Sequence, residues 1–170
     1  IPMLYNLENI DTNENRKLWN FLDEYDLIVF NHSRQHWFSN HEGLNDFDLY
    51  GGLKRNDKII TAFAKFLKIT KFKKPLLVLF EYGSDVKYSK KLINDLNIVN
   101  NVKWMPTMFR KNILYGLNKA TLSSNAFREN TLDIGGVCYE SLAVGVPHLN
   151  NCKDSVEDIN HKFFNSPMIH

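Results

Sequence analysis

Short, uninterrupted apolar runs alternate along this chain with stretches in which apolar positions recur every three or four residues. Leu27-Ile-Val-Phe30 predicts a buried strand, and Lys58 to Leu67 sets Ile59, Phe63, Phe66 and Leu67 on one helical face. Leu76 to Phe80 predicts a second strand, followed by Ser84 as N-cap of a helix that turns Val86, Ile93 and Leu96 inward. Val102 to Met105 reads as a third strand, Arg110 to Asn118 as a shorter helix and Ala120 to Ser123 as a fourth strand. A glycine-led helix over Gly136 to Val144 and a fifth short strand over Pro147 to Leu149 complete the series. Such alternation predicts an α/β domain with a mostly parallel sheet covered on both faces. In such sheets ligands bind beyond the carboxyl ends of the strands, where strand order reverses, so the polar residues after each strand carry the candidate chemistry.

Composition narrows the picture. The 170 residues are 44% hydrophobic and 13% aromatic, enough for one domain with a sizeable core, and the expected organisation is a single unit over residues 1–170. The net charge is only +2 and the lysines are spread along the chain, which argues against a nucleic-acid partner. Cys138 and Cys152 show no metal-ligand spacing and read as thiols in a reducing, cytoplasmic setting. No apolar run reaches about 18 residues and no basic-start signal peptide is present, so no membrane span is expected in this chain. The parent protein can still be membrane-peripheral. The sequence opens on Ile1 without methionine, and a fragment of a longer chain is the expectation.

The segment Thr131 to Pro147 is the richest in chemistry. Gly135, Gly136 and Val137 open a helix, Glu140 lies about one turn further in, and the helix closes on Gly145-Val-Pro147. Glycines there let a ligand approach the backbone, and the N–H groups and dipole of a first helical turn favour a phosphate. Gly-rich strand-to-helix turns also occur in α/β domains without this role. The other strand-end segments are Asn31 to Trp37, Glu81 to Asp85, Met105 to Thr107 and Ser124 to Arg128.

Taken in order, these signals resemble the C-terminal, donor-binding domain of glycosyltransferases of the group 1 type (family 4), which have the two-domain GT-B fold. The resemblance is carried by Ile1-Pro-Met, by His32-Ser-Arg34, and by Lys54-Arg-Asn-Asp57 ahead of Ile59-Ile-Thr-Ala-Phe63. Leu76 to Gly83, Asn101-Val-Lys-Trp-Met-Pro106 and Gly135 to Pro147 continue it. It implies a Rossmann-like three-layer domain, one half of a GT-B fold, that binds a nucleotide-diphosphate sugar. Transfer would retain the anomeric configuration, with the acceptor glycan, lipid or protein held by an N-terminal domain missing from this chain. By the same resemblance Arg34 and Lys54 are the diphosphate-binding, catalytic pair and Glu140 accepts hydrogen bonds from the ribose hydroxyls. Backbone groups near Met105 and Pro106 meet the base. The diphosphate charge is met without a metal, and no cofactor is implied.

Three positions depart from the family pattern. Leu132 stands eight residues before Glu140, where many members carry a first glutamate, and Asp133 or Glu129 is the candidate replacement. The family's Lys-Gly is Lys54-Arg55 here, which brings the loop geometry into question. The stretch between Arg34 and Lys54 is long and holds Trp37, Phe38, His41, Phe47 and Tyr50, either a lid or acceptor-facing loop or aromatics packed on the domain. His32, His36 and His41, with Glu42 or Asp46, would suit a metal only on a helix, and none is predicted there. His32 is expected to be a turn residue near the diphosphate, His148 a core or crevice histidine. Gly-x-Ser-x-Gly does not occur. A nucleotide-sugar epimerase or hydrolase on the same architecture, and a non-catalytic sugar-nucleotide or interaction domain, stand as alternatives.

Overall fold

The computed structural model describes residues 10–38, 53–127 and 135–150. Helix α1 (Asn13–Trp19) runs into a 3-10 turn and strand β1 (Leu27–Asn31), followed by α2 (Asn56–Leu67), β2 (Pro75–Phe80), α3 (Val86–Asp95) and β3 (Val102–Met105). Helix α4 (Arg110–Asn118), β4 (Leu122–Ser124), α5 (Gly136–Ala143) and β5 (His148–Leu149) complete the order. The strands form one parallel sheet in the order β3-β2-β1-β4-β5. Helices cover both faces, giving the Rossmann-like three-layer α/β architecture.

Continuous apolar runs make the central strands because both faces of a parallel sheet are buried. Every residue of β2 is buried. Alternation along the strand then sends side chains to two separate cores. Ile28, Phe30, Leu76, Val78 and Phe80 pack with Trp19, Leu22, Leu114 and Leu117 on one face. On the other, Val29, Leu77 and Leu79 pack with Ile59, Ile60 and Phe63 of α2 and Ile93 of α3. Trp19 is fully buried and donates from Nε1 to the Asn112 carbonyl at 2.9 Å.

Several boundaries differ from the sequence expectation, each for a local reason. Helix α1 lies ahead of the first expected strand; it has only seven residues, too few to show a period, and is started by Thr12, whose hydroxyl accepts from the Asn15 N–H at 3.1 Å. Helix α2 starts at Asn56, two residues before Lys58. Asp85, not Ser84, occupies the N-cap of α3, and its carboxylate accepts from the N–H groups of Trp37 and Phe38 at 2.6 and 2.9 Å. Strand β4 starts at Leu122, because Ala120 still closes the end of α4 through its N–H to the Leu117 carbonyl and the Thr121 hydroxyl accepts from Ile28. Helix α5 ends in a Schellman motif: Val146 N–H donates to the Ser141 carbonyl at 2.9 Å and Gly145 N–H to that of Leu142 at 3.1 Å. Gly145 has φ +75, and this is what the Gly-x-Pro spacing encodes.

Candidate functional site

Strand order reverses at β1, whose neighbours are β2 and β4, and the carboxyl ends of β1 and β4 open on a cleft of about 240 Å³. Its walls are His32, Ser33 and Arg34 after β1, Lys54 before α2, Tyr82 after β2, Asn125 after β4, and Gly135, Gly136 and Val137 at the start of α5. Six residues singled out from the sequence, His32, Arg34, Lys54, Gly135, Gly136 and Val137, thus meet in one place although up to about a hundred positions separate them. A second cleft of about 270 Å³ adjoins it, sharing His32 and Tyr82, and is lined further by Phe80, Thr107, Met108 and Ile113.

Buried polar side chains fix the loop that carries Arg34. The Asn31 amide, wholly buried, donates to the Ser124 carbonyl and hydroxyl at 3.3 and 3.0 Å and to the Asn125 carbonyl at 3.2 Å, tying the end of β1 to the end of β4. Its Oδ1 accepts from the Ser33 hydroxyl at 2.8 Å, and that hydroxyl accepts from the Asn56 amide at 3.0 Å. Asn56 in turn accepts from the His36 N–H at 3.0 Å. Each of these groups would be costly to bury unpaired, so the chain of bonds specifies one loop conformation. Lys54 is held by its backbone: its N–H donates to the His36 carbonyl at 2.6 Å and its carbonyl accepts from Phe127 at 3.1 Å.

Gly83 pins the same loop from the other side. Its N–Cα torsion is φ +113, and a Cβ there would stand 2.3 Å from the Gln35 carbonyl oxygen and 2.7 Å from the Arg34 Cγ. Gln35 N–H donates to the Tyr82 carbonyl at 2.7 Å, and the Gln35 carbonyl accepts from Asp85 at 3.1 Å. The Lys54-Arg55 departure has a concrete outcome: Arg55 has φ 52 and ψ 44, the left-handed conformation a glycine adopts without strain. Here an arginine takes that conformation, and its guanidinium forks onto Asp57 at 3.0 Å on both bonds.

Helix α5 begins with glycine at its N-cap, so no side chain stands over the helix start that faces the cleft. Arg34 is exposed and Lys54 half-buried at the same opening. Two side-chain cations and a helix N-terminus converge there, with no acidic residue in the described lining, which suits a diphosphate.

Glu140 lies beneath this surface, 6% exposed. Its Oε2 is 2.6 Å from Nε2 of His32, whose side chain is 4% exposed, and its Oε1 accepts from Nε of Arg110 at 2.9 Å. His32 does sit at the expected cleft, but the sequence did not signal that its ring engages Glu140. Met105 is placed in the core, with its carbonyl accepting from Glu81 N–H at 2.8 Å, and Pro106 is exposed; the cleft wall is built from the next two residues, Thr107 and Met108. Asp133, Glu129, Leu132, His41 and residues 39–52 lie outside the described residues. Trp37 and Phe38 of the long Arg34 to Lys54 stretch pack on α3, Trp37 donating from Nε1 to the Ser89 hydroxyl at 2.7 Å and the Phe38 ring lying tilted with its centroid 4.1 Å from that of Tyr88. His148 is buried, its Nδ1 2.7 Å from the Ser123 hydroxyl. Among the described residues no three His, Cys, Asp or Glu side chains gather as a metal cluster, and no helix is long and apolar enough to cross a membrane.

No protein-family model matches the sequence, and no curated protein matches it. Solved structures do. HepE of Anabaena, solved in complex with UDP, aligns at a TM-score of 0.58 and 18% identity over 85% of this chain and 36% of its own. Sucrose-phosphate synthase from Thermosynechococcus elongatus aligns at 0.56 and 18% identity over 88% and 33%. The C-terminal domain of a group 1 family glycosyl transferase from Francisella tularensis aligns at 0.52 and 12% identity over 81% and 65%. The chain spans about a third of the length of the first two. The fold therefore resembles that of the C-terminal domain of GT-B glycosyltransferases.

Proposed function

We propose that this chain is the donor-binding domain of a GT-B glycosyltransferase, holding a nucleotide-diphosphate sugar for transfer to an acceptor presented by another domain. The observation that carries the reading is the convergence of Arg34, Lys54 and the Gly135-Gly136-Val137 helix start on one cleft at the strand-order reversal. A nucleotide-sugar donor loses its sugar from a diphosphate, so negative charge gathers on the leaving group as the bond breaks. Fixed cations and oriented N–H groups lower that barrier because they are in place before the charge develops. Arg34 forks onto two phosphate oxygens and Lys54 supplies a point charge, so no metal is needed. The nucleoside occupies the adjoining cleft, its base against Phe80, Met108 and Ile113. Glu140, joined by its bond to His32 to the wall common to both clefts, accepts from the ribose hydroxyls. Family-4 membership and retention of configuration belong to the same proposal, as does an acceptor site outside residues 1–170.

UDP, the ligand bound to HepE, is the first probe. A panel of nucleoside diphosphates in a thermal-shift assay tests the reading, since a ligand at a hundredfold excess over Kd stabilises by about 2.7 kcal/mol. Arg34→Ala is expected to weaken the diphosphate by about 1.5 to 3 kcal/mol and to leave the bare nucleoside nearly unchanged. Equal losses for both ligands would remove Arg34 from the diphosphate. Glu140→Gln is expected to penalise the ribonucleotide more than its 2′-deoxy counterpart, and an unchanged preference would refute the ribose assignment.

A further inference from the structure

We infer that Arg110 is a built-in competitor for the ribose site on Glu140, and that His32 holds the carboxylate in the position both would use. The inference rests on Glu140 reading the ribose. The Glu140 side chain is 8% exposed, and its two oxygens are engaged from opposite sides, one by a buried ring and one by an exposed guanidinium. His32, 4% exposed in its side chain and set edge-on to Phe30 and Phe80 with ring centroids 5.7 and 6.4 Å away, contacts Oε2. Arg110, 64% exposed, covers Oε1 at 2.9 Å.

The two partners differ in what they can do next. His32 is fixed in the wall common to both clefts, so it is a positioning residue for the carboxylate. Arg110 is the first residue of α4, between Met108 and Ile113 of the apolar cleft, and reaches Glu140 from the solvent side. A ligand hydroxyl approaching Oε1 comes from that same side. Two vicinal hydroxyls are both donors and need both carboxylate oxygens as acceptors; the guanidinium is a donor too and holds the outer one. Binding therefore exchanges the Arg110 contact for a hydroxyl contact, and an exposed guanidinium is repaid by water when it leaves. The fraction of molecules with Arg110 withdrawn sets the apparent affinity for any ligand with a ribose diol.

Calorimetry with UDP and 2′,3′-dideoxyUDP separates this role from general electrostatics. Arg110→Ala is expected to bind UDP about two- to fivefold more tightly, the span of a solvent-facing ion pair, and to leave the dideoxy ligand unchanged. Arg110→Gln, which keeps most of the stem, should move UDP in the same direction and serves if the alanine variant folds poorly. His32→Ala should cost UDP several-fold more than it costs the dideoxy ligand, since the ring lines both clefts but holds only the carboxylate that the diol uses. Weaker UDP binding in the Arg110 variants, no change, or equal changes for both ligands would overturn the inference. Glu140→Gln keeps the two failures apart: if it erases the UDP preference while Arg110→Ala does not tighten UDP, the ribose reading stands and the competition falls. If Glu140→Gln leaves the preference intact, or the wild-type chain binds no nucleoside diphosphate, both fall.

Discussion

Gly83→Ala should be the most damaging single methyl group near the cleft, and its cost can be assembled from the geometry. At φ +113 the residue occupies backbone space that L side chains rarely adopt, which costs about 1 to 3 kcal/mol. The new Cβ would also stand 2.3 Å from the Gln35 carbonyl oxygen and 2.7 Å from the Gln35 nitrogen, both backbone atoms that cannot swing aside as a side chain would. The loop after β1 must shift, and the bonds from Gln35 N–H to Tyr82 and from Asp85 N–H to Gln35 are the first lost, at about 1 kcal/mol each. The total is about 3 to 5 kcal/mol, a large share of the 5 to 15 typical of a whole domain. Urea unfolding measures it, with Gly145→Ala as the control: Gly145 also has a positive φ, +75, but nothing lies within 4 Å of its Cβ position, so it should lose only about 1 kcal/mol. Arg34 rides on the displaced loop, and UDP affinity should fall with stability in the first variant alone. If Gly83→Ala is no more costly than Gly145→Ala, close backbone approach does not hold the Arg34 loop.

Arg55 inverts the usual ranking of helix-flanking residues: Arg55→Gly should be about 1 kcal/mol more stable than Arg55→Ala in thermal unfolding, because both lose the Asp57 fork but only glycine relieves the φ of 52. Desolvation pushes the Asp26 carboxyl up, but N–H bonds from Lys73 and Lys74 at 2.7 and 2.9 Å outweigh it and leave the group below its ordinary value of 3.8. Its contribution is thus complete above that value and lost as pH falls through the lowered one, so acid unfolding of Asp26→Asn should be shallower than wild type in that window.

What the sequence made legible is what local pattern encodes. Leu76 to Phe80 could only be a strand buried on both faces, and the Gly145-Val-Pro147 spacing carried the cap that ends α5. Arg34 and Lys54 stood out through the family resemblance and the glycine pair through its place at a helix start, and their meeting follows from strand order. The bonds that fix their geometry were not legible. Asn31, Ser33 and Asn56 look like ordinary turn residues in the sequence; only the fold brings Asn31 to Ser124, 93 positions on, and makes them a buried network. His32 and Glu140 are 108 positions apart, and neither residue type announces the other. Met105 marks the limit of register: the last residue of a strand and the third residue after it are only about 10 Å apart along the chain, yet Met105 turns into the core and Met108 faces the cleft.

The described arginines show how the site separates rigidity from charge. Arg16 forks onto Asp11, Arg55 onto Asp57, and Arg110 holds Glu140. Arg34 has no carboxylate partner among the described residues, although its backbone is the most firmly clamped of the four, between the Asn31–Ser33–Asn56 network and Gly83. A guanidinium already paired to a carboxylate would have to break that pair to receive a phosphate, and the cost would come out of binding. An exposed, unpaired one on a fixed loop meets the same phosphate with only its side-chain rotamers left to order. On the donor-binding proposal, the groups that set the loop, Asn31, Ser33 and Asn56, are buried and bonded to one another, while the Arg34 charge stays in water at the mouth of the cleft.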